Sequence, residues 1–154
     1  MRAVKCLAPV FREHPELVWF IAGEGIERNN IEQAILEEQM SEQIVLIGQQ
    51  NNPYAFMKNA DLVMNLSYHE AAPMVFMEAK ALAIPVFATR TSSADEFLEN
   101  GVGAVLCENC EEAIQSSFRA LIQSPARIGE MKHYLQQQQG SNDISLAWFK
   151  RMVE

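Results

Sequence analysis

The chain has 154 residues, of which 49% are hydrophobic and 21% charged, and its formal net charge is -8. That is enough chain for one soluble globular domain, and the acidic balance argues against a nucleic-acid role, because phosphate contacts require a basic face. The longest apolar run, Leu17 to Ala22, is far short of the roughly 20 residues that a membrane span takes, and no basic-then-apolar leader opens the chain, so a cytosolic protein with no transmembrane segment is expected.

In chain order, Val4, Leu7, Ala8 and Phe11 form one helical stripe, and Leu17 to Ala22 reads as an apolar strand that runs into Gly23-Glu24-Gly25. Ile31 and Ile35 mark a second helix, and Ile44 to Ile47 a second strand followed by Gly48 and Gln49. Asn52 before Pro53 predicts a capped short helix. Asp61 to Leu66 reads as a third strand, and Pro73 suits the first turn of the helix that follows. Beyond it come a strand over Val86 to Ala88, a helix over Ala94 to Leu98 stopped near Asn100-Gly101, and a strand over Ala104 to Leu106. The rest reads as helix, with stripes at Ala113, Ile114, Phe118 and Leu121, at Ile128, Met131 and Leu135, and at Ile144, Trp148 and Met152. Gln136 to Gln139 reads as a frayed helix end. Apolar strands alternating with helices predict an α/β fold, a Rossmann-like parallel sheet with helices on both faces and a helical C-terminal segment from 109 to 154.

Cysteine and histidine add little. Cys6, Cys107 and Cys110 suit a reducing compartment. Cys107-Glu108-Asn109-Cys110 has no second cysteine or histidine pair at zinc spacing and reads as structural. His14, His69 and His133 are scattered, and only His69, next to Glu70, lies near the residues of interest.

The chemistry concentrates between Ser67 and Pro85. Glu70 falls in the loop after the third strand, and Glu78 about a turn and a half inside the Pro73 helix. Free amides near Met74 and Val75 make that helix start attractive to phosphate. One carboxylate can accept hydrogen bonds from a sugar ring and the other from a ribose, with a diphosphate on the amides between them. Spacing alone leaves open the plainer reading of two solvated surface acids.

The surrounding residues resemble the signature of glycosyltransferase family 4, retaining enzymes of the two-Rossmann-domain (GT-B) architecture. Glu70, Glu78-Ala79 and Pro85-Val86 match its Glu-(seven residues)-Glu motif and the strand behind it. Phe20-Ile21-Ala22-Gly23-Glu24-Gly25, Ile47-Gly48, Asn52-Pro53-Tyr54, Met57 to Asp61, Glu96 and Gly103 continue the likeness over roughly Arg2 to Asn109. The resemblance implies the C-terminal, donor-binding half of such an enzyme, moving a sugar from a nucleotide-diphosphate sugar to an acceptor hydroxyl with the anomeric configuration kept.

By the same resemblance, Glu70 orients the sugar and Glu78 the ribose, while the backbone of Ala72, Pro73, Met74 and Val75 meets the phosphates. Gly23, Gly25, Gly48 and Gln49 either line the base and ribose pocket or serve tight turns. No metal and no cofactor are expected. The implied partners are the donor and an N-terminal acceptor domain. The resemblance also suggests peripheral association with a membrane's inner face for the whole enzyme, and the fragment alone is expected to be inactive. A stand-alone nucleotide-binding or regulatory domain, or an epimerase-like protein, are the other readings.

Three departures stand out. Ala71-Ala72 replaces the family's Gly-Phe, Met74 its Asn, and Thr89 to Ser93 its glycine-rich turn, where hydroxyls are available to phosphate. The family's first strand, with its arginine, and the lysine-glycine of the next helix have no counterpart here. Arg2 and Lys5 do not take those roles. The sheet should therefore lack a central strand; either the strands ending near Ala22 and Leu66 close ranks and pair, which is the preferred expectation, or a second chain or partner subunit supplies an edge.

Overall fold

The computed structural model describes residues 1–71 and 73–138. The elements are α1 (Arg2–Glu13), β1 (Trp19–Ala22), α2 (Arg28–Glu37), β2 (Ile44–Gly48), α3 (Pro53–Lys58) and β3 (Val63–Asn65), then α4 (Met74–Ala81), β4 (Val86–Thr89), α5 (Ala94–Phe97), β5 (Ala104–Cys107), α6 (Glu111–Ile122) and α7 (Pro125–Gln138). All strand pairs are parallel, as the alternation predicts. The first and third strands are shorter than the sequence pattern suggests. The stripe at Ile144, Trp148 and Met152 and the residue Gln139 lie outside the described residues. Gln136 to Gln138 form the C-terminal end of α7.

Alternation along β4 sorts the core into two layers. Phe87 points into a cluster built by α1, α2, α6 and α7, around Val4, Leu7, Phe11, Ile35, Ile114, Phe118 and Met131. Val86 and Ala88 point the other way, onto Phe76 and Ala79 of α4 and Ala94 of α5. Helices thus cover both faces of β3–β5.

The expected closure of the sheet does not occur. β1 pairs only with β2, and the remaining strands form a separate sheet in the order β3-β4-β5. This is the 3-2-1-4-5-6 order without its central strand. Both half-sheets stay packed on the same helix layer. Trp19 and Ile21 of β1 and Leu62, Met64 and Leu66 around β3 all pack on the cluster that α1 supplies. With the central strand missing, its two neighbours are two strand spacings apart, ~9.6 Å, which is beyond hydrogen-bond reach while both stay packed on that cluster. An aromatic run joins the half-sheets beneath the break: Trp19 to Phe11 at 6.2 Å between ring centroids, Phe11 to Phe118 at 5.9 Å and Phe118 to Phe87 at 5.4 Å. Each such pair adds about 0.5–1.5 kcal/mol beyond the area it buries.

Two helices end in full Schellman motifs without glycine. In α2 the amides of Met40 and Gln39 bond the carbonyls of Ile35 and Leu36, and in α4 those of Ile84 and Ala83 bond Ala79 and Lys80. Gln39 at φ 58° and Ala83 at φ 55° therefore hold the left-handed conformation that glycine adopts most easily.

Candidate functional site

The C-terminal ends of the parallel strands carry the polar residues of interest. After β3 the chain turns through Ser67 to Glu70 before α4 begins, with Pro73 at the N-cap in extended backbone. Ser67 Oγ donates to Glu70 Oε1 at 2.7 Å, and Asn65 Nδ2 donates to the same oxygen at 3.3 Å. Both contacts are on one carboxylate oxygen, which leaves Oε2 without a hydrogen bond to any described residue. Glu70 is half-buried.

Side chains from distant elements hold the backbone of this turn. Arg2 Nη2 donates to the Leu66 carbonyl at 3.0 Å, and its guanidinium lies 3.7 Å from the centroid of the Tyr68 ring. Thr89 Oγ1 donates to the Ser67 carbonyl at 2.6 Å, and Ser93 Oγ to the Glu70 carbonyl at 2.8 Å. Asn109 Nδ2 donates to the Ser67 and Tyr68 carbonyls, each at 3.1 Å. The hydroxyls of Thr89 and Ser93, two of those that the sequence makes available to phosphate, are directed at the loop, while the buried Thr91 Oγ1 has no hydrogen-bond partner among the described residues.

Glu78 sits on α4, half-buried, and its Oε1 accepts a hydrogen bond from Tyr54 Oη of α3 at 3.2 Å. That contact links the segment after β2 to the helix after β3. Burial raises the Tyr54 phenol pKa above the ordinary value, and the Glu78 charge and their hydrogen bond raise it further. At the start of α4, Phe76 N–H bonds the Pro73 carbonyl and no side chain caps the helix. The amides of Met74 and Val75 have no partner among the described residues. Ala72 lies outside them. Met74 is exposed, Val75 half-buried and Pro73 buried.

The glycines of the β1–β2 end serve the backbone. Gly23 at φ 122° gives its amide to the Gly48 carbonyl at 2.8 Å. Gly48 at φ 66° follows a one-residue slip in register, where Ile21 faces Leu46 and Ala22 faces Gly48. A side chain at Gly48 would also meet the Glu24 carboxylate, 2.8 Å from an ideal Cβ. Gly25 has neither a positive φ nor a crowded surrounding, and with the exposed Gln49 it lines open surface. Asn52 stands at the N-cap of α3 without a side-chain capping bond.

The cysteine pair does not form a twin-thiol site. Cys107 is buried and Cys110 exposed, and burial pushes the Cys107 pKa up to about 11. No cluster of three metal-ligating side chains occurs among the described residues. No described helix is long and apolar enough to cross a membrane.

Sequence reasoning missed Arg2, Tyr54 and Asn109. Their positions did carry a signal, since Tyr54 and Asn109 follow strand ends, where open α/β sheets gather their polar groups. Their partners are too remote in sequence for spacing to reveal.

A family model, "Glycosyl transferases group 1", matches residues 2–139. The chain is 28% identical over 88 residues to N-acetyl-alpha-D-glucosaminyl L-malate synthase of Bacillus anthracis, an alignment covering 57% of this chain and 23% of the relative. The same identity over 88 residues relates it to the O-antigen biosynthesis glycosyltransferase WclY of Escherichia coli, covering 57% of this chain and 24% of the relative. Curated relatives are thus spanned over only 21% to 32% of their length. Among solved structures, the pneumococcal O-GlcNAc transferase GtfA in complex with UDP and GlcNAc superposes with a TM-score of 0.81 at 22% identity, over 99% of this chain and 32% of that one. Anabaena HepE in complex with UDP gives 0.78 at 17% identity, over 96% of this chain and 43% of that one. The fold is the Rossmann-like fold of GT-B glycosyltransferases, and the chain belongs to the glycosyl transferases group 1 family.

Proposed function

We propose that residues 1–154 form a single domain that binds the nucleotide-diphosphate sugar of a retaining, hexosyltransferase-type enzyme, whose acceptor is received by a separate domain. The observation that carries this reading is the joint presence of a half-buried carboxylate on each side of an uncapped helix start: Glu70 in the loop before α4 and Glu78 within it. The free Oε2 of Glu70 suits donor-sugar hydroxyls, and Glu78 suits the ribose. The unpartnered amides of Met74 and Val75, with Ala72 and Pro73 beside them, suit the diphosphate. Gly23, Gly25, Gly48 and Gln49 border the space for the base. The relatives solved with UDP support uridine diphosphate as the first nucleotide to try.

Transfer builds positive charge on the sugar ring and negative charge on the departing diphosphate. A carboxylate near the ring and a helix N-terminus at the phosphates both favour that distribution, and they gain strength where water is excluded. Without an acceptor domain the chain should bind donor and transfer nothing. Peripheral membrane attachment belongs to the whole enzyme. Calorimetric titration with UDP, UDP-glucose and UDP-N-acetylglucosamine tests the reading. Saturable 1:1 binding that weakens at least tenfold in Glu78→Ala is expected, and binding unaltered by that substitution would remove the ribose from Glu78.

A further inference from the structure

We infer that Asn109 is a positioning residue for Glu70, the hub of a side-chain cage that sets the geometry in which the donor's sugar is held. The inference rests on the donor-binding reading of the site. Its starting point is the buried polar side chains of the described chain, which are Thr89 and Ser93, 1% and 3% exposed. Both spend their hydroxyl proton on the turn that carries Glu70. A buried hydroxyl is costly unless bonded, so its partner is part of what keeps it there.

Asn109 completes the arrangement from the segment after β5. Its Oδ1 accepts from Arg2 Nη1 at 2.8 Å, which fixes the amide so that Nδ2 faces the loop and reaches two carbonyls. The carbonyls of Leu66, Ser67, Tyr68 and Glu70 are thereby held by donors from α1, the end of β4, the α5 N-cap and the β5–α6 segment. None of these donors belongs to the turn itself. With its peptide planes fixed, the turn keeps Ser67 Oγ on Glu70 Oε1 and leaves Oε2 in one direction. A carboxylate set beforehand loses less freedom when the sugar arrives. Asn109 is the hub because it alone gives the turn two donors and is itself oriented by Arg2.

The test separates the sugar from the nucleotide. The ratio of Kd for UDP to Kd for UDP-glucose or UDP-N-acetylglucosamine measures what the sugar adds, and Glu70→Gln should collapse it. Asn109→Asp is isosteric and half-exposed, keeps its contact with Arg2, and turns the two donated bonds into repulsions. It is expected to lower the ratio at least fivefold with the thermal unfolding cooperative. Thr89→Val should lower the ratio as well, and Thr89→Ser, which keeps the hydroxyl, should restore it. This pair carries the test if Asn109→Asp fails to fold. A ratio unchanged in folded Asn109→Asp, or in Thr89→Val, while Glu70→Gln collapses it, overturns the positioning role and leaves the donor-binding reading intact. Wild-type chain that binds neither UDP nor either sugar nucleotide overturns both.

Discussion

Replacing Thr89 by valine removes a hydroxyl that is 1% exposed and donates at 2.6 Å to the Ser67 carbonyl. A buried hydrogen bond contributes about 0.5–1.5 kcal/mol net, and a methyl in the hydroxyl's place needs more room than 2.6 Å allows, so the loop must also shift. We therefore expect a loss of about 1–2 kcal/mol. The Ser67 carbonyl keeps the Asn109 Nδ2 donor at 3.1 Å, so it is not orphaned by this change alone. Asn109→Ala should cost about 1 kcal/mol, since water can replace part of what a half-buried amide gave. Together the two leave that carbonyl without either donor, and the double variant should lose about 0.5–1 kcal/mol more than the sum. Urea unfolding of the four proteins measures this as midpoint shifts at constant slope, and each kcal/mol should lower Tm by about 2–4 °C. Thr89→Val as stable as the parent, or strict additivity in the cycle, would refute the shared-acceptor geometry.

Two further outcomes are expected. Gln39 is exposed and closes the Schellman motif of α2 at φ 58°, so Gln39→Gly should raise stability by about 0.5–1 kcal/mol in the same unfolding assay. Ala83→Gly should gain less, because it also gives up a buried methyl. For the thiols, burial disfavours the thiolate, so Cys107, at about 11, should resist alkylation near neutral pH in the folded chain. Cys6 is shifted upward by burial as well, so mass spectrometry should find Cys110 modified first. Equal labelling of Cys107 and Cys110 under native conditions would contradict the packing of β5.

Much of the fold was legible because it rests on short-range pattern. The run from Ile44 and the pair Val86 and Ala104 alternate with helical stripes, and a parallel sheet covered by helices follows from that alone. The break between β1 and β3 was not foreseen as persisting. Pairing looked favourable from the cost of unpaired backbone, whereas the packing of both half-sheets on one cluster is a tertiary arrangement that no strand sequence contains. At the candidate site, the loop position of Glu70 and the helical position of Glu78 followed from Pro73 and the flanking strand. The hydroxyls between Thr89 and Ser93 were visible, but their targets were not, because Ser67 and Glu70 lie more than twenty residues away and a hydroxyl's direction depends on packing. Asn109 and Arg2, 107 positions apart, meet only once the sheet is assembled.

The most direct measurement is a crystal structure of the chain soaked with UDP-glucose. The account predicts the diphosphate on the amides at the start of α4, the ribose hydroxyls on the Glu78 carboxylate and the sugar against Oε2 of Glu70. Density for the nucleotide anywhere else, with no ligand atom within hydrogen-bond reach of either carboxylate, would contradict it.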